Sequence, residues 1–481
     1  MTSTNVINTA IDSDALARAA LTCCIDGADA IMYATIKGVG SASDTLQLII
    51  ASRPQASETA ATTVTTANKT LERGFIDGLI RWGRQPNARS MNAFRTTLAG
   101  WHRRLDRLPS LHIESLTGWL TAEGTQWIIG PNSPYWPHQL DDLSIRRDWA
   151  APLCLWGIGD PNALVSCPAP IAVVGSRGVN EYGRVLARHI GERATADGHL
   201  VVSGGAMGAD AAAHWGALAA MESAADPNLV GRTVAVFAGG LNHVGPQCNQ
   251  LLFDRIVALR GALISELCPN TIPEARRFLL RNRIIAALGA QVIVTQARLR
   301  SGALNTAGWA AELGREVYAA PGDAGTPHNA GCNKLIRDHQ AILLMSADDT
   351  HEICHQAHHP VIATNSNTGN HQQSQDAQSQ ENTSATSSQQ QALVATEDNG
   401  YRTLATAIRR CRAQRLRADI ETVTSCMDGA PSMSDIFALL GRLELEGLIA
   451  ISGGVISLTN PQHVTSSSVS DSRLPLPERS Q

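Results

Sequence analysis

The stretch IAVVGSRGVNEYG, residues 171–183, decides the fold: a short apolar run ends in Gly175-Ser176-Arg177, and a helical pattern opens near Tyr182. A strand that stops on glycine just before a helix is half of a βα unit. Its turn offers the orphan N–H groups and partial positive charge of a helix N-terminus to an anion. The same grammar repeats along the chain. LVV (200–202), TVAVF (233–237), ALIS (262–265), VIVT (292–295) and VYAA (317–320) alternate with helix-like stretches such as 182–196 and 210–221. Strand and helix alternating this often predict an α/β fold, a Rossmann-like doubly wound and mostly parallel sheet with helices on both faces. Upstream, WIIG (127–130) and PLCLWG (152–157) read as two further strands feeding that sheet.

The totals set limits on the rest. A chain of 481 residues exceeds one core, so several domains are expected. At 43% hydrophobic and 17% charged with a net charge of −4, it carries no bulk basic field, so nucleic-acid binding must rest on a local patch. The ten cysteines form no CxxC pair, which argues against a zinc ribbon and a thioredoxin motif. The first residues lack a basic stretch followed by an apolar run, and nothing is long enough to span a bilayer. A cytoplasmic protein with reduced thiols, away from membranes, is expected.

Residues 1–125 read as an α-helical domain. It is interrupted by a turn at Lys37-Gly38-Val39-Gly40 and by a polar Ala/Thr/Ser loop at about 52–68. Residues 126–350 form the α/β core. Residues 351–398, rich in Gln, Ser and Asn, bury too little to offset ordering entropy and are expected to be a disordered linker. Helical periodicity returns over 399–460, and 461–481 read as a disordered tail.

Within the core, VVSGGAMGADAAAHWGAL (201–218) carries a second glycine turn, Gly204-Gly205, with Asp210 placed to cap the next helix and His214 and Trp215 as packing residues. A third turn, Gly239-Gly240, follows the next strand, and all three are expected on one crevice. In RRFLLRNRIIAAL (276–288), Arg276, Arg277, Arg281 and Arg283 crowd around Phe278. Cations for phosphates beside a ring for a base are what single-strand binding asks for. The segment is equally compatible with a core phenylalanine and a solvated arginine face. Ser301, Gly302 and Asn305 open a helix after VIVT, and Lys334 lies in AGCNKLIRD (330–338). No nucleophile–base pair or carboxylate dyad emerges. The His351, Cys354, His355, His358 and His359 group sits at the mouth of the linker and is assigned no metal.

GSR (175–177), SGGAMGADAAAHWGAL (203–218), AGGLNHVGP (238–246), RFLLRNRIIAAL (277–288), RSGALNTA (300–307) and GCNKLIRD (331–338) resemble, in order and spacing, the DprA/Smf family. That resemblance implies a non-enzymatic protein without cofactor that binds single-stranded DNA, forms a homodimer and loads a RecA-type recombinase during natural transformation. It implies a DNA pocket lined by Gly175, Ser176 and Arg177, by Arg277-Phe278 and Arg281-Asn282-Arg283, and by Ser301, Gly302 and Asn305. Asn282 enters the candidate set on this ground alone. Two positions depart from the family pattern, Ala275 and Met207, where a basic residue is usual. Residues 416–458 resemble the winged-helix domain that many members append, with a hairpin at Gly453-Gly454, and the basic run Arg409–Arg417 precedes it. The alternative reading is a nucleotide-processing enzyme of the phosphoribohydrolase type on the same scaffold. APGDAGTPHNAG (320–331) counts against it, because it lacks the paired glycines and glutamate of such enzymes.

Overall fold

The computed structural model describes residues 12–349, apart from 26, 55–57 and 146–149, together with 423, 440, 449–452 and 455–458. The chain divides into two units, residues 1–366 and 367–481. The expected linker and tail, the winged helix other than Val423, Leu440 and its two strands, the histidine–cysteine group and Arg409–Arg417 lie outside the described residues.

Six helices come first: α1 (Ser13–Cys24), α2 (Ala30–Val39), α3 (Ala42–Ala51), α4 (Glu58–Arg81), α5 (Ala88–Leu105) and α6 (Ile113–Leu120). Asp12, Asp29, Ser41 and Asn87 cap α1, α2, α3 and α5 by accepting from first-turn N–H groups. Most of the stretch expected as a loop at 52–68 is the first half of α4. The hydroxyls of Thr65, Thr66 and Thr70 donate to carbonyls four residues earlier at 2.8, 2.9 and 3.0 Å, so an exposed threonine-rich face stays helical.

The turn expected at 37–40 is also corrected. Helix α2 runs through Gly38 and stops at Gly40, whose φ of 97° is the left-handed helix cap. Gly38 is a packing residue: a Cβ there would fall on the Gly74 carbonyl of α4, and a Cβ at Gly78 on the Ala34 carbonyl of α2. Gly78→Ala gains about 1 kcal/mol of helix propensity, yet it forces two backbones apart, which costs about 1–3 kcal/mol. A lower urea midpoint is therefore expected for Gly78→Ala; a raised midpoint would contradict this helix–helix contact.

The sheet that follows contains β1 (Trp127–Ile129), β2 (Leu155–Gly159), β3 (Ile171–Gly175), β4 (Val201–Gly204), β5 (Thr233–Val236), β6 (Ala262–Ser265), β7 (Gln291–Gln296), β8 (Glu316–Ala319) and β9 (Ile342–Leu343). Their spatial order is β1-β2-β6-β5-β4-β3-β7-β8-β9. From β3 to β9 every pairing is parallel. The two upstream strands join antiparallel, β1 on β2 and β2 on β6. Helices α7 (Glu181–Ala196), α8 (Ala209–Ser223), α9 (Gln250–Ala258), α10 (Ala275–Leu288), α11 (Gly302–Glu312) and α12 (Ala330–Arg337) connect the strands. Ile171, Ala172, Val173 and Val174 are all buried, as strands covered on both faces require.

The opening helices share a core with one half of the sheet. Leu21, Phe94 and Trp101 belong to the same apolar cluster as Trp156, Ala235 and Leu263. Trp156 Nε1 donates to the Leu120 carbonyl at 2.9 Å, tying β2 to α6.

The chain steps from β3 outward to β6, then returns to place β7 on the other side of β3. The β3–β7 boundary is thus the topological switch point, where a crevice opens beyond the strand carboxyl ends. In the second unit, β10 (Ile449–Ser452) pairs antiparallel with β11 (Val455–Leu458), with Gly453-Gly454 between them. Among the described residues, no helix is long and apolar enough to cross a membrane, and no group of three His, Cys, Asp or Glu could hold a metal ion.

Candidate nucleic-acid interface

At the switch point lies a cleft of about 680 Å³. One wall is the 175–178 turn after β3, the opposite wall is 298–303 after β7, and α10 supplies Ala275, Phe278, Leu279, Arg281 and Asn282. Arg177, Arg281, Arg298 and Arg300 line it against a single carboxylate, Asp210. This is the local basic surface that a chain of net charge −4 needs to hold a polyanion.

The walls are tied together from beneath. Gln296, fully buried at the end of β7, accepts from the Asn180 N–H at 3.0 Å and donates to Asn180 Oδ1 at 2.7 Å and Asn329 Oδ1 at 2.9 Å. Asn180 caps α7 by accepting from Gly183 N, and Ser301 caps α11 by accepting from Ala303 N. Two helix N-termini therefore flank the mouth. Gly208, at φ 84°, brings its backbone against the carbonyls of Ser176 and Arg177, a contact that a side chain would block. The Arg177 guanidinium lies 4.7 Å from the centre of the Phe278 ring.

Below the floor, Arg281 Nη1 donates to the Val236 carbonyl at 2.8 Å. Arg281 and Asp210 are both buried, and both pack against the site of a Cβ on Gly204. Burial holds the Asp210 carboxyl above its ordinary range, with Arg281 pulling the other way, and burial lowers the Arg281 guanidinium.

Expected as the cap of α8, Asp210 is not one. Gly208 occupies that position, and the Asp210 carboxylate turns back to the Ala206 backbone and Ser203. His214 packs as anticipated. Its Nε2 sits 3.0 Å from the Gly204 carbonyl, which can only accept, so Nε2 carries a proton, while Nδ1 lies 2.6 Å from Thr233 Oγ1, whose one proton also reaches the Val201 carbonyl at 3.1 Å. Burial lowers the imidazole pKa from 6.5 to about 4 and so favours the neutral ring at pH 7. A folded pKa below the unfolded one gives stability that is complete above pH 6.5 and lost as pH falls toward 4. The lost contribution is about 3 kcal/mol. Urea unfolding at pH 7 and pH 5 is expected to show a steeper loss for the wild type than for His214→Gln; equal pH slopes would contradict this account.

Gly175, Ser176, Arg177, Phe278, Arg281, Asn282, Ser301 and Gly302 all line the cleft. Asn305 stands just behind, accepting from Asn282 Nδ2 at 3.3 Å, and Gly204 backs the floor. Arg276 and Arg277 are at the N-terminal end of α10, close to Glu274 at 3.3 and 3.5 Å, and Arg277 also donates to the Ile272 carbonyl.

Five candidates lie elsewhere. Gly205 packs on Phe237, and Asn249 Nδ2 holds its carbonyl. Gly239 and Gly240 are buried against Thr271–Pro273 and Cys268–Pro269. Strand β5 lies two places from β3, about 10 Å at the usual strand spacing, so the third glycine turn meets its own neighbouring loop and not the shared crevice. Arg283 points away from the cleft, fully buried, with Nη1 and Nη2 on Glu266 at 2.8 and 2.7 Å. Two residues along a helix is about 200° of rotation, which explains why Arg281 and Arg283 part company. Lys334 pairs with Asp338 at 2.6 Å on the surface of α12.

Arg298 and Arg300 are the cleft cations that sequence reasoning passed over. Their signal was position, directly before Ser301-Gly302 at a strand's carboxyl end. Ala275 does line the cleft, and Met207 is half exposed and absent from the lining.

Fold and site together define a doubly wound α/β protein with a cationic cleft at its switch point. The family model for DNA recombination-mediator protein A matches residues 127–355. A DprA-type sequence of Mycobacterium tuberculosis (strain CDC 1551 / Oshkosh) is 42% identical over 199 residues, 41% of this chain and 48% of that one. The DNA processing protein DprA of Bacillus subtilis (strain 168) is 36% identical over 219 residues, 46% of this chain and 67% of that protein. The solved structure of DprA from Streptococcus pneumoniae aligns at a TM-score of 0.46 with 26% identity, covering 58% of this chain and 90% of that one. This chain belongs to the DprA/Smf family of DNA recombination-mediator proteins. It spans about half the length of the mycobacterial relative it matches.

Proposed function

We propose that this protein binds single-stranded DNA in the switch-point cleft, protects the strand and hands it to a RecA-type recombinase in the cytoplasm, without catalysis and without a cofactor. One observation carries the reading: four arginines and an aromatic ring converge on one cleft between two helix N-termini. Phosphates take Arg177, Arg298, Arg300 and the N–H groups, with Arg281 buried in the floor beneath them, and a base takes Phe278. Family membership supports the recombinase as partner. A homodimer is part of the same reading. Among the described residues the sheet ends in β9, whose Ile342 and Leu343 are exposed, the kind of edge another copy covers.

The test is fluorescence anisotropy with a labelled oligo-dT and its duplex across a salt series. Tight, salt-sensitive binding to the single strand is expected, falling by about 0.7 in log–log slope per phosphate contact. No binding at low salt would overturn the reading.

A further inference from the structure

Between Asp77 and Asp106 the chain carries Arg81, Arg84, Arg89, Arg95, Arg103 and Arg104 and no acidic residue, within a protein of net charge −4. The structure gathers part of this run at one end of the opening helices. Arg81 Nη1, at the end of α4, donates to the Lys37 carbonyl near the end of α2 at 2.8 Å. Tyr33 of α2 and Trp82 just after α4 meet with ring centres 5.2 Å apart, tilted by 53°. The Arg84 guanidinium lies 4.0 Å from the Trp82 ring, and Lys37 Nζ lies 5.8 Å from the Tyr33 ring. Arg81 and Arg89 are exposed, and Arg89 opens the first turn of α5.

Lys37, Arg81 and Arg84 are drawn around the aromatic pair, and this concentration of positive charge matches a polyanion. The ring also holds the Arg84 plane in place, so less freedom is lost when it meets a phosphate. The α1–α2 turn packs on α10, where a Cβ at Gly27 would meet the Leu280 side chain, on the face of that helix turned away from the cleft, so a strand touching both contacts must pass around α10.

We propose that Lys37, Arg81 and Arg84, set around Tyr33 and Trp82, together with Arg89 at the start of α5, form a second contact for the phosphodiester backbone of the same single-stranded DNA. This rests on the cleft reading as the first contact. The full chain is titrated with oligo-dT of about 6 and about 30 nucleotides, as wild type, Arg81→Glu/Arg84→Glu, Arg89→Glu and Arg177→Ala. Thermal melting checks that each variant folds, and Arg89→Glu serves as the version least coupled to the Trp82 packing. The long strand is expected to bind the double variant about tenfold more weakly, with its salt slope reduced by about 1.4 for two lost contacts. Arg89→Glu should shift the same way by about half as much in slope, and the short strand should be unaffected by either. Unchanged binding of the long strand by folded variants would overturn the proposal, as would equal losses on both lengths. A patch loss confined to duplex of the same length would overturn the single-strand assignment. Loss in the patch variants with none in Arg177→Ala would retire the cleft and leave the patch standing.

Discussion

Arg283→Met is expected to lower folding stability by about 3–5 kcal/mol, the largest effect of any single change considered. The residue is fully buried, its two terminal nitrogens sit on Glu266, and Nη2 also reaches the Ala150 carbonyl at 3.3 Å. Removing it strands a carboxylate away from water. Glu266→Leu alone strands the guanidinium in the same way. The double variant Arg283→Met/Glu266→Leu strands neither, and well-packed apolar replacement of a buried pair is often neutral or stabilising. Equilibrium urea unfolding should therefore show large losses for each single variant and recovery of most of that loss in the double. The double variant should also bind oligo-dT like wild type, because Arg283 faces away from the cleft. Weakened binding by a stable double variant would return Arg283 to the pocket that the family resemblance assigns it.

Phe278→Ala is expected to weaken oligo-dT binding by about 1–3 kcal/mol, the usual worth of one base stacked on a ring. The salt slope distinguishes it from loss of a cation. Arg177→Ala removes a phosphate contact and should flatten the slope by about 0.7, whereas Phe278→Ala should move affinity at nearly constant slope. Phe278→Trp should keep most of the binding. A phenylalanine that only packs would show the opposite pattern, with reduced stability and unchanged affinity per folded molecule.

Much of the core was legible because parallel strands buried on both faces leave continuous apolar runs, and three of them, β3, β4 and β5, end where a glycine turn begins. The sequence placed Ser176-Arg177 and Ser301-Gly302 at strand ends. What it could not supply was lateral order. Knowing that β7 returns to the far side of β3 brings those two turns together and leaves Gly239-Gly240 two strands away. Helical phase accounts for Arg283: four arginines within eight residues cannot share one face, and only packing against Glu266 tells which one turns inward. In the opening helices, composition misled twice. Threonine stretches read as loops when their hydroxyls can satisfy the helix itself, and glycines read as turns when they permit helices to touch. The β10–β11 pairing was expected only as part of the winged-helix resemblance of residues 416–458.

The most direct test of the central claim is photo-crosslinking of a bromodeoxyuridine-substituted single strand to the full chain, with the attached peptides identified by mass spectrometry. A strand seated at the switch point should mark the peptide containing Phe278 and those spanning 175–184 or 298–306. Crosslinks that avoid all three segments would contradict the account.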